Sequence, residues 1–241
     1  MRMLTFVLAA LGVLVAQAGA DEYWIAYEAD DFPENVGWRR IYRNEDGWYQ
    51  GGAERSLEDG VFTLDTRRSD MICDYYGIAR QMDPDPGETF VAEWRLNIVE
   101  ANQSMEVGVW IARDDPPGYV WVKYLEDEVW IGREHWSHPI EPYVFHTYRI
   151  ESTDMVDYSL WVDGEQVHQG VFYTPTDLNS FLAFGDPSYG GNVTSVSEWD
   201  YVRFGVIPEP CSLFMLVGLC VCAGRRVHTR DFTARAGNLV K

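Results

Sequence analysis

Between residues 21 and 207, apolar and polar side chains alternate with a period of two, and the helical period of 3.6 is scarce. Successive side chains of a β-strand point to opposite faces, so this alternation is what a sheet with one buried face requires. Phe90, Ala92, Trp94, Leu96 and Ile98 fall on one face of such a strand, with Glu93, Arg95 and Asn97 on the other. Val107, Val109 and Ile111 alternate in the same way with Gly108 and Trp110. Further strands are predicted at 119–125, 129–133, 146–151, 158–162, 165–172, 181–185 and 197–206, with earlier ones at 61–65 and 75–82. Turn chemistry separates them. Asp163-Gly164 is a two-residue hairpin signal, and Asp59-Gly60 introduces the strand at 61–65.

Many short strands, with neither an internal repeat nor a mid-chain linker, predict one all-β domain over residues 21–206. The expected form is a two-sheet antiparallel jelly-roll sandwich. A hydrophobic share of 46% can supply its core. Cys73 is the only cysteine before Cys211, so no disulfide staples the body, and a buried thiol is expected.

The ends read as addresses. Arg2, the apolar stretch from Leu4 to Val15 and the small residues Ala18-Gly19-Ala20 have the layout of a signal peptide over 1–20, entering the export channel as a short helix. At the other end, Pro208-Glu209-Pro210 precedes a short apolar run, predicted helical, and then Arg225-Arg226. These residues resemble the exosortase-sorted PEP-CTERM tail of bacteria. The resemblance implies recognition of the tripeptide, transient membrane contact and release to the cell surface or matrix. Signal peptidase and an exosortase-like enzyme would be the processing partners. The segment is expected over 207–226, followed by a basic polar tail over 227–241 without packed structure. The continuation past the arginines to Lys241 departs from the family pattern.

The order of Phe90-Val91-Ala92-Glu93-Trp94-Arg95-Leu96, Tyr148-Arg149-Ile150, Tyr158 to Gly164 and Trp199-Asp200-Tyr201-Val202-Arg203 resembles the concanavalin-A-like lectin/glucanase superfamily. That resemblance implies a closing strand paired near the first strand. It also implies either sugar binding or, in the glucanase branch, glycan hydrolysis.

The formal net charge is -19. Such a surface argues against nucleic acid and anionic membranes, and Arg39-Arg40 is too small a basic patch to reverse this. It suits an extracellular setting and leaves room for a structural calcium ion. An early acidic loop, Glu28, Asp30 and Asp31, together with Asp200 on the closing strand, is the candidate calcium site.

Sugar binding needs rings that stack on pyranose faces. Trp110, Trp121 and Trp161 alternate against apolar neighbours and form a candidate platform if their strands are adjacent. Glu93 and Arg95 either contact sugar hydroxyls or form cross-strand ion pairs. Glycoside hydrolysis needs two carboxylates facing one cleft. The Glu-x-Asp-x-(x)-Glu strand expected of a glucanase is missing, and Glu126-Asp127-Glu128 reads as a turn. His135-Trp136-Ser137-His138 reads as a surface loop rather than a zinc site. No catalytic residue is assigned. The expected function is an exported, non-catalytic surface or matrix protein that binds extracellular polysaccharide. The alternatives are a glycan hydrolase and a structural or adhesive protein without a small ligand.

Overall fold

A computed structural model of the chain describes residues 23–44, 47–48, 52–67, 71–79, 84–101, 107–114, 117–174, 180–186 and 195–208. In chain order its strands are β1 (Tyr23–Tyr27), β2 (Arg39–Asn44), β3 (Gly47–Trp48), β4 (Glu54–Glu58), β5 (Val61–Asp65), β6 (Met71–Ile78), β7 (Glu88–Ala101) and β8 (Val107–Asp114). They continue with β9 (Pro117–Tyr124), β10 (Glu128–Ile131), β11 (Trp136–Pro139), β12 (His146–Ser152), β13 (Asp157–Val162), β14 (Glu165–Val171), β15 (Phe181–Asp186) and β16 (Ser195–Pro208). A 3-10 turn, Pro33–Val36, leads into β2.

The strands form two antiparallel sheets. The back sheet runs β14-β13-β12-β7-β16-β5-β4, with β1 also on β16; the front sheet runs β11-β10-β9-β8-β15-β6-β2-β3. First and last strands therefore pair, with Ile25 opposite Phe204 and Tyr27 opposite Val202. This is the all-β jelly-roll sandwich that the alternation predicts.

Local chemistry sets the hairpins. Asp163 and Gly164 both have positive φ, 50° and 81°, the geometry whose twist matches the flanking strands β13 and β14. Asp59 and Gly60 repeat it at 52° and 76° between β4 and β5, so the Asp-Gly signal also marks β4, which its weak alternation hides. His135-Trp136-Ser137-His138 is not a loop as expected. Residues 136–139 form β11, paired with β10, while His135 takes the positive-φ position of the turn before it. The Tyr75 strand begins earlier than predicted, at Met71, and its expected end at Met82 lies outside the described residues.

The inward faces meet in one core. Phe184 of the front sheet packs on Tyr27 and Trp199 of the back sheet, with ring centroids 5.5 and 4.9 Å apart. Trp38 and Tyr76 close the same cluster at 5.0 and 5.5 Å. Each such pair contributes about 0.5–1.5 kcal/mol beyond the area it buries. Two indole N–H groups taken inside find partners: Trp94 Nε1 donates to Tyr124 Oη at 2.7 Å and Trp199 Nε1 to Ser197 Oγ at 3.0 Å. Cys73 is buried as a thiol, on the opposite face of β6 from Asp74 and Tyr76.

The chain divides into a compact unit to Ile207 and a second from Pro208 to Lys241. Pro208 ends β16. Glu209, Pro210, Arg225, Arg226 and the signal peptide expected at 1–20 lie outside the described residues.

Candidate functional site

The outward face of the front sheet carries the aromatic surface. On β8 the outward positions are Gly108, Trp110, Ala112 and Asp114; on β9 they are Pro117, Tyr119, Trp121 and Lys123. Trp110 and Trp121 are direct cross-strand partners, stacked with centroids 5.3 Å apart and planes 10° from parallel. Phe181 on β15 meets the edge of Trp110 at 4.8 Å. Small neighbours make this possible. A Cβ on Gly108 would lie 2.5 Å from Trp121 Nε1, so the indole lies across a position that only glycine leaves open. Gly132 does the same for Trp130, whose six-membered ring would be 2.4 Å from a Cβ there.

Beside the stacked pair is a cleft of about 290 Å³, lined among others by Tyr119, Trp121, Lys123, Trp130, Arg133 and Tyr173. β10 ends at Ile131, and beyond it Tyr173, arriving from β14, takes its place against β9 through a reciprocal backbone bridge with Tyr119. Arg133 donates from Nε to Tyr119 Oη at 2.8 Å and lies over the Tyr173 ring at 4.5 Å.

Lys123 is the unusual member. Its Nζ sits 3.6 Å from the centre of the Trp121 ring and 5.1 Å from that of Trp130. The residue is only 7% exposed and makes no ion pair among the described residues. Loss of hydration, with a smaller push from the nearby Arg133 charge, lowers its pKa from 10.5 to about 8.

Glu134 is the one carboxylate among the described residues lining the cleft, and it is already engaged. Its Oε1 accepts from Tyr158 Oη at 2.7 Å and from the Val171 amide at 3.3 Å, and its Oε2 accepts from His168 Nε2 at 2.5 Å. Trp136 stacks on the His168 ring at 4.3 Å. These contacts brace the turn after β10 against β13 and β14 of the other sheet.

The candidate ligand residues divide between the two faces. Trp161 lies on β13 of the back sheet, opposite Arg149, so it joins neither Trp110 nor Trp121. It lines a separate hollow of about 390 Å³ with Glu93, Thr147, Arg149 and Glu151. Glu93 stands opposite Arg149 across β7 and β12 and accepts from its Nη1 at 3.3 Å. Arg95 pairs with Asp200 instead. Both residues thus enter cross-strand ion pairs.

The four candidate calcium ligands are also dispersed. Glu28 holds Arg203 through both oxygens, at 2.7 and 2.6 Å. Asp31 accepts from the Phe32 amide and Asn35 Nδ2, contacts that lower its pKa. Asp30 is exposed, and Asp200 is on Arg95. Among the described residues, no three His, Cys, Asp or Glu side chains gather where they could hold a metal ion. Glu126-Asp127-Glu128 spans the β9–β10 turn, where Glu126 accepts from the Ala101 amide and Tyr143 Oη.

Lys123, Trp130, Arg133, Glu134 and Tyr173 were not singled out in the sequence. Alternation could have placed Lys123 and Trp130 outward, since each lies between two inward apolar residues, but their pairing across β9 and β10 is set by the register.

No family model matches the chain, and no curated protein matches it. Solved structures do. An endo-β-1,3-glucanase from Pyrococcus furiosus superposes with a TM-score of 0.56 at 11% identity, over 77% of this chain and 95% of that one. A carbohydrate esterase of Shiga toxin-encoding bacteriophage phi24B gives 0.56 at 8% identity, over 78% and 99%. A structure described with the endo-acting O-glycanases by which human gut bacteria initiate mucin breakdown gives 0.51 at 12%, over 77% and 99%. At such identities the likeness concerns the fold, and the fold of this chain is the concanavalin-A-like jelly-roll sandwich.

Proposed function

We propose that this chain is an exported protein that binds a polysaccharide on the outward face of its front sheet. The observation that carries this reading is the stacked pair Trp110 and Trp121 beside an aromatic cleft. A pyranose ring presents an apolar C–H face to such rings, while Arg133 at the rim and Lys123 within the cleft offer donors to its hydroxyls. The layout of residues 1–20 and of 208–226 supports delivery to the cell surface or matrix, with passing membrane contact during sorting.

Glycan hydrolysis is the second reading, and the glycan-acting enzymes among the structural neighbours favour it over a non-catalytic one. Hydrolysis by the common route needs two carboxyl groups about 5–5.5 or 6.5–9.5 Å apart. Against it, the one carboxylate among the described residues lining the cleft is Glu134, held by His168 and Tyr158, and the outward carboxylates Asp114 and Glu128 stand at strand ends outside that lining. Binding therefore accounts better for the side chains present.

The test is calorimetric titration of the full chain with soluble β-1,3-glucan, mixed-linkage β-glucan and mucin glycans, alongside an assay for newly formed reducing ends. Saturable heat abolished by Trp121→Ala and kept by Trp161→Ala is the expected result. Binding lost only in Trp161→Ala would move the site to the back sheet, and no heat on any glycan would end the reading. Reducing ends formed by the wild type and lost in Glu134→Gln would establish the hydrolase.

A further inference from the structure

We infer that the cleft beside Trp121 selects glycans bearing an oxyanion, a uronate carboxylate or a sulfate ester, and that Lys123 is the residue that pairs with it. This inference rests on the glycan-binding reading and specifies its ligand. An ammonium removed from water requires a counter-charge, and buried lysines are ordinarily paired. Lys123 has none among the described residues, in a chain whose acidic residues outnumber its basic ones 38 to 19. Its directly opposite neighbours are Gly108 on β8 and Trp130 on β10, and neither carries charge.

The other charged groups of the cleft sharpen the argument. Arg133 adds a second cation, exposed at the rim and held in place by Tyr119 and Tyr173. Glu134 does not neutralise either one, because its oxygens face Tyr158, His168 and the Val171 amide. The indole faces of Trp121 and Trp130 hold the ammonium in place through their ring quadrupoles and at the same time form walls for a sugar ring. Burial and, to a smaller extent, the Arg133 charge lower the pKa of this unpaired ammonium. An anionic substituent on a pyranose stacked at this edge would supply it, and the charge-assisted bond would form in a site already partly free of water.

The experiment compares glycans of matched linkage and length that differ only in charge: a neutral oligosaccharide, its uronate counterpart and its sulfated counterpart. Each is titrated into the full-length wild type and into Lys123→Met, with near-ultraviolet circular dichroism confirming that the variant keeps its aromatic packing. The expected result is roughly ten-fold tighter binding of one anionic glycan by the wild type, the size of one charge-assisted contact, and a ratio near one in the variant. Which anion is preferred distinguishes uronate from sulfate. Equal wild-type affinity for all three would overturn the inference while leaving the aromatic glycan site standing. A preference that survives Lys123→Met would overturn it too, by placing the counter-charge elsewhere. No binding of any of the three removes both the inference and the reading beneath it.

Discussion

Trp121 lies across Gly108 of the neighbouring strand, at a distance where any side chain on residue 108 would meet the indole nitrogen. Gly108→Ala is therefore expected to lift Trp121 off β8 and to break its parallel stacking with Trp110. The strain of an added methyl in a filled site costs about 1–3 kcal/mol. Two coupled indoles give an exciton couplet in circular dichroism, and its loss in the folded variant would confirm the geometry. An unchanged couplet would mean that Trp121 does not occupy this position.

Lys123 makes stability depend on alkaline pH. Its folded pKa, about 8, lies below the ordinary value of 10.5. Below pH 8 the folded state carries the cost of the desolvated ammonium. Between the two values the unfolded chain binds more protons than the folded one, so this contribution to stability rises with pH. Lys123→Met is expected to be more stable than wild type near neutrality, by up to about 3 kcal/mol. That advantage should shrink as pH rises toward 10. Urea unfolding of both proteins across this range checks it, and a constant difference would place the ammonium in water.

Arg40 and Asp74 form a largely buried ion pair on the inward face of β2 and β6. Arg40 Nε donates to Asp74 Oδ1 at 2.9 Å, its Nη2 to Oδ2 at 2.5 Å, and the Ala53 amide also donates to Oδ2, at 2.7 Å. Even so, burial of Asp74 raises its pKa, because loss of hydration outweighs the guanidinium. Arg40→Met is expected to cost about 3–5 kcal/mol at neutral pH. With the cation gone the folded state holds the Asp74 proton still more strongly than the unfolded chain, so the deficit should narrow as pH falls through the folded pKa. A deficit that stays constant on acidification would show that Asp74 is hydrated.

Tyr124→Phe tests the hydrogen bond that joins two core rings, Trp94 and Tyr124. The substitution keeps the ring and removes the oxygen that accepts from Trp94 Nε1. Trp94 is fully buried, so its N–H would lose its partner without gaining water, at about 1–3 kcal/mol. Thermal unfolding measures the loss. No change in midpoint would mean that another acceptor replaces the hydroxyl.

The facing of side chains was legible in the sequence to the level of single residues. Trp94, Leu96 and Ile98 are inside, while Glu93 and Arg95 stand on the other face of the same strand. Strand partnership was less legible. The two Asp-Gly turns announced their hairpins, but the β10–β11 hairpin turns through His135 in a positive-φ conformation without any glycine at that position. Its sequence therefore resembled a loop.

Charge was the least legible feature. Glu28, Asp30, Asp31 and Asp200 look alike in a sequence, and their different fates depend on where Arg203 and Arg95 stand in the completed sheet. The same holds for Glu93, whose partner Arg149 is brought opposite by the pairing of β7 with β12.

The sequence by itself determined that this chain is a sandwich of strands and which side of the clearly alternating strands, such as 90–98 and 107–111, is buried, because a period of two is a local property that such a strand carries along its own length. Only the tertiary structure decided which tryptophans share a surface. Trp110, Trp121 and Trp161 all point away from the core, yet register and sheet order join the first two and send the third to the opposite sheet. The same long-range pairing set Lys123 between Trp121 and Trp130, because cross-strand neighbours are chosen by hydrogen bonding between segments distant in the chain and not by the residues on either side.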